Sequence, residues 1–118
     1  MNMIAIMLAA LQPPITAEQR LQSPYLACAA EEADRSFTSS ATIAEIQNAA
    51  LARCEQFLER NVENSLAAVL RGSSETWSDD ALAQGRNRLR TKLREGLLKV
   101  VENRVSAQRL EAAVGLGR

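Results

Sequence analysis

Residues 42–72 read TIAEIQNAALARCEQFLERNVENSLAAVLRG, and this stretch decides the fold. Thr42 followed by Glu45 is a capping box, in which hydroxyl and carboxylate each satisfy a backbone N–H that the first helical turn leaves unpaired. Behind it Ile43, Ile46, Ala50, Cys54, Phe57, Leu58, Val62, Leu66, Val69 and Leu70 recur in steps of three and four. Such steps gather them on one face of a helix. Gly72 stands where a left-handed helix stop is expected. The stretch predicts an amphipathic helix over 43–71.

Upstream, Ser23 can cap and Pro24 is tolerated at a first helical position, so a shorter helix is expected over about 24–37. Thr38-Ser39-Ser40-Ala41 then reads as a loop. Downstream, Ser78 can cap a third helix over about 79–114, with Asp79 and Asp80 in the first turn, where the helix dipole favours acids. Trp77 and Leu82 occupy the two positions of a hydrophobic staple. The third stripe runs through Leu89, Leu93, Leu97, Val100, Ala107, Leu110 and Val114. Gly85 and Gly96 interrupt it at about 1 kcal/mol each relative to Ala, which points to close helix–helix contact at those positions. No alternating apolar–polar run of useful length occurs, so the reading is all-α.

Short loops between long helices imply antiparallel neighbours. In such a hairpin, residues equidistant from the loop lie level with one another. Cys28 and Cys54 are equidistant from Ala41 in the first loop, so a disulfide between the first two helices is expected. About the second loop, at Ser74 and Glu75, Glu55 mirrors Arg94, Glu59 mirrors Arg90 and Glu63 mirrors Arg86. Each row flanks its apolar stripe, as antiparallel helices require for cross-helix ion pairs. A three-rung ladder follows, whose role is register more than stability. The first helix is too short to cover the far end of the hairpin. Val62, Leu66, Leu70, Leu82 and Leu89 are therefore expected to form an uncovered apolar interface, completed by a second copy or another protein.

The 118 residues fit one domain, with 47% apolar and 24% charged residues. Net charge is zero, yet residues 18–80 hold 11 acids against 5 bases and residues 81–118 hold 9 bases against 3 acids. The ladder accounts for part of this asymmetry. At the N-terminus, Met3–Leu11 (MIAIMLAAL) is unbroken apolar sequence followed by Gln12-Pro13-Pro14, and no charged side chain occurs before Glu18. That pattern is expected of a secretory signal peptide over 1–17, although Met1-Asn2 supplies no Lys or Arg, and it is too short to span a bilayer. Residues 18–118 are then the exported helical domain, in an oxidising periplasmic or extracellular compartment that suits a cysteine pair. The alternative is a cytoplasmic chain with two core thiols.

The absence of histidine removes the commonest general base and metal ligand. No Gly-rich phosphate loop, GxSxG elbow or CxxC motif occurs. Glu31, Glu32 and Asp34 form an acidic cluster, best read as a solvated helix end. The reading is thus a non-enzyme with no cofactor and no metal: a small exported interaction or structural protein with a protein partner or a second copy of itself. Its alternative is a cytosolic nucleic-acid-binding protein using the basic run Arg86 to Arg94. With aromatic residues at 3% and a pI near 6.3, nucleic acid is disfavoured. A membrane-surface role for the basic third helix, through Arg88, Lys92 and Lys99, is also disfavoured against a core helix with a solvated face.

Overall fold

The computed structural model describes residues 23–115; the expected signal segment, 1–17, lies outside them. The described chain is three helices packed as antiparallel hairpins: α1 (Pro24–Ser36), α2 (Ile43–Arg71) and α3 (Asp79–Ala113). No strand occurs among the described residues.

Each helix begins at a side-chain cap. Ser23 accepts the Leu26 N–H at 3.4 Å, and Ser78 accepts the Ala81 N–H at 3.1 Å. At α2 both halves of the capping box are made: the Thr42 N–H donates to Glu45 Oε1 at 2.7 Å, and the Glu45 N–H to Thr42 Oγ1 at 3.1 Å. The Thr42 bonds hold the Glu45 carboxyl below its ordinary range. The end of α2 departs from expectation. Gly72 has φ −88°, in the right-handed region, and the chain leaves through short bonds from the Gly72 N–H to Val69 O and the Ser73 N–H to Leu70 O. A tightened last turn satisfies these carbonyls without a left-handed residue.

α1 lies along the hairpin of α2 and α3 and contacts both. Its small residues permit this: Ala29 and Ala33 are fully buried, with Tyr25 and Leu26 as the large side chains beside them. From α2 the core takes Ile46, Ala50, Cys54, Leu58 and Val62; from α3 it takes Leu97, Val100, Val101 and Val105. The α3 contribution corrects the expected stripe. Ala107, Leu110 and Val114 are exposed, Leu110 by 66% and Val114 by 55%. Because α3 faces two helices at once, its buried arc swings to Val101 and Val105. Mirrored about the second loop, Ile43 falls level with Ser106, so beyond that point α2 has no residue left to cover α3.

The glycines of α3 are also less constrained than expected. A methyl group at Gly96 would meet Leu26 of α1 at 3.6 Å, and one at Gly85 would meet Leu66 and Trp77 at 3.5 Å. These are ordinary van der Waals distances to side chains, so no close backbone approach requires glycine at either position.

Candidate interaction surface

Cys28 and Cys54 form a disulfide across the first hairpin, with Cα atoms 5.8 Å apart. Across the second, Arg86, Arg90 and Arg94 each reach a glutamate on α2 at 2.7 Å: Glu63, Glu59 and Glu55 in turn. Arg90 grips Glu59 with two bonds, from Nε at 2.7 Å and from Nη2 at 2.8 Å, and Arg86 grips Glu63 in the same way at 2.7 and 3.3 Å. These hydrogen bonds hold the Glu59 and Glu63 carboxyls below the usual range and raise both guanidiniums.

Contacts between α1 and α3 were not anticipated from sequence. Arg104 of α3 clasps the Asp34 carboxylate at 2.8 Å, and Gln108 donates to the same group at 2.7 Å. Arg109 crosses the first loop and donates to the carbonyls of Phe37 at 2.8 Å, Ser39 at 3.1 Å and Ala41 at 2.7 Å. It thereby satisfies carbonyls of the helix cap and of the loop that follows α1. Buried Glu32 takes Arg35 at 2.8 Å and Arg53 at 2.9 Å. Glu32 and Asp34 of the acidic cluster are therefore drawn into separate ion pairs, and no group of three or more metal-ligating side chains that could hold a metal ion forms among the described residues. At the start of α1, the Tyr25 N–H donates to Asn61 Oδ1 at 2.9 Å. The Tyr25 hydroxyl is buried without a hydrogen-bond partner among the described residues. Burial first, and the Glu55 charge second, push its pKa up to about 12.

These bonds consume most of the basic character of α3. Arg86, Arg90, Arg94, Arg104 and Arg109 are all engaged within the chain, whereas Arg88, Lys92 and Lys99 make no such bond among the described residues.

At the far end of the hairpin the expected interface is corrected. Val62 is fully buried and Leu66 is 3% exposed, because α1 begins level with Asn61 and the loop residue Trp77 folds back beside Leu66 and Gly85. Trp77 is held there by a bond from its indole Nε1 to Ser73 Oγ at 3.3 Å. Leu70, Leu82 and Leu89 are half-buried. What stays open is an apolar groove of about 350 Å³, lined chiefly by Leu66, Val69, Trp77, Ala81, Gly85 and Leu89, with Arg88 at its edge. Leu89 and Gly85 lie seven and eleven residues before Gly96, which faces Leu26, so helical periodicity puts all three on the α1 side of α3. The groove thus continues the channel in which α1 lies, past the point where α1 begins. Val69 inside it is 46% exposed.

No helix among the described residues is long and apolar enough to cross a membrane. No protein-family model, no curated protein and no solved structure matches this chain, so its function has to be argued from the groove and the scaffold that holds it open.

Proposed function

We propose that the chain is an exported, non-catalytic interaction protein that receives an apolar helix of a protein partner in the groove between α2 and α3. The observation that carries the reading is the groove itself: an apolar channel whose neighbouring stretch already holds a helix, α1. Helix-in-groove recognition needs such a channel, with an anchor or two from the visiting helix. A scaffold of stapled and ion-paired helices keeps its walls fixed, which lowers the ordering cost of binding. The apolar segment Met3–Leu11 and the Cys28–Cys54 bond support export to an oxidising compartment.

Two measurements test this. Intact mass of the protein from its native host should show loss of the N-terminal segment and of two hydrogens from the cysteine pair. Capture of a partner from that compartment should be specific and should disappear with Val69→Glu, which puts a charge into the groove while sparing the core. Capture that survives the substitution would remove the groove from the reading.

A second reading, a cytosolic nucleic-acid-binding helix, has Arg88, Lys92 and Lys99 in its favour. Salt-sensitive DNA binding that is lost in Arg88→Glu with Lys92→Glu would put it first.

A further inference from the structure

The groove lies beside the point where the chain enters the fold. Asn61 of α2 receives the first turn of α1, and Leu66 stands only about 7 Å farther along the same helix at 1.5 Å per residue. Twenty-two residues precede Ser23, among them the longest uncharged apolar stretch of the whole sequence, Met3–Leu11. The intervening residues 12–22 can span up to roughly 37 Å when extended, several times the distance needed. Pro13-Pro14 disfavour one unbroken helix running on from Met3–Leu11, which leaves the connection free to turn back. Wound as a helix, Met3–Leu11 would measure about 12 Å, the same rise as Ala81 to Leu89 along the groove wall. A tethered ligand acts at an effective concentration on the order of millimolar, so the nearest apolar segment of the same chain has the advantage over any free one.

We infer that in the uncleaved chain the groove is filled by the chain's own apolar segment Met3–Leu11, and that removing this segment opens it to a partner helix. The inference rests on the reading of the groove as a helix-binding site, and it adds an order of events: the surface is masked until processing. Both occupants are apolar segments and they exclude one another.

Trp77 is the one tryptophan of the sequence and lines the groove, so it reports occupancy directly. The full chain should show a blue-shifted Trp77 emission and weak quenching by acrylamide. The full-length variant Ile6→Asp with Leu8→Asp should show red-shifted emission and stronger quenching, with the circular dichroism of α1, α2 and α3 retained. A photocrosslinking side chain placed at Leu8 should give an intramolecular adduct within residues 66–89 of a monomer. Equal Trp77 quenching in the two full-length chains overturns the inference, and so does an adduct that forms only between two copies, since the occupant would then be a second chain. The partner reading fails separately: groove-dependent capture would be missing from the processed protein even while Trp77 is screened in the full chain.

Discussion

Along α1, three helices are joined by a disulfide and by the reach of Arg109 into the first loop; where α2 turns into α3, two helices meet a single tryptophan. The two ends of the same hairpin are built from similar sequence, Ala- and Leu-rich with steps of three and four. What separates them is the length of α1, 13 residues against 29 for α2. Where α1 lies, the stripe becomes a closed core of fully buried side chains such as Leu58, Val62 and Leu97. Beyond its start, the same stripe becomes one wall of a groove. Stability and binding are thereby assigned to different ends, since a buried contact and an available one cannot be the same surface.

The contrast is broken most sharply by truncating one side chain from each end. Leu58→Ala removes a fully buried leucine from the three-helix end and should cost about 2–5 kcal/mol. Val69→Ala, three turns along the same stripe, should cost less than about 1 kcal/mol, because nearly half of Val69 is open to water already. Urea unfolding of both variants measures the difference. Equal losses would mean that the groove is closed in solution.

Opening the disulfide should act at the same end with the next largest effect. It constrains an unfolded loop of 26 residues, and its loss should lower stability by about 2–4 kcal/mol. Amide exchange after reduction should rise in α1 far more than around Trp77 and Leu82. Uniform acceleration would show that α1 supports the open end as well.

How much of this was legible follows from which registers a sequence exposes. Two helices joined by a short loop are related by reflection, so Cys28 with Cys54 and Glu59 with Arg90 could be paired by counting outward from each loop. Helices α1 and α3 are parallel and share no loop. They are related by a constant interval: Arg104 lies seventy residues beyond Asp34, and Gly96 the same interval beyond Leu26. Reflecting twice gives that interval only approximately, and a slip of three residues is nearly a full helical turn. The Asp34 and Arg109 contacts were therefore out of reach, as was the swing of the α3 stripe to Val101 and Val105. The extent of the open interface is hidden in the sequence for a related reason. Periodicity places Val62 and Leu66 on the apolar face but says nothing of how far along that face α1 begins, or where a loop tryptophan folds.

Arg109 provides the next test of the closed end. Arg109→Ala leaves the carbonyls of Phe37, Ser39 and Ala41 to water and should cost about 1–2 kcal/mol, toward the low end for charged hydrogen bonds because the group is partly exposed. Arg109→Lys should recover little, because one ammonium cannot replace a planar fork. Alkaline pH probes the neighbouring core through Tyr25. Its phenol ionises more readily in the unfolded chain than in the fold, where the pKa is raised to about 12. The stabilisation is complete below about pH 10 and is lost as pH climbs through 12. Tyr25→Phe should flatten that decline in thermal melts, and because the hydroxyl has no partner it should cost little near neutrality.

The ladder spans both ends, with Glu55 and Arg94 beside α1 and Glu63 and Arg86 beside the groove, and its effects should be the smallest. Its rungs are exposed, where ion pairs contribute little and are screened by salt. Glu59 and Glu63 have folded pKa values below their unfolded ones, so their contribution is present above the ordinary carboxylate range and disappears as pH falls through the folded values. Glu59→Arg places a fourth cation beside Arg86, Arg90 and Arg94 and should lower the melting temperature modestly at low salt. Adding Arg90→Glu restores the alternation of charge and should recover part of the loss. The recovery should shrink in high salt, which a packing effect would not do. If the double variant melts no higher than the single one, the middle rung does not set the register of α2 against α3. The alignment of the groove walls then rests on Leu58, Leu97 and their neighbours alone.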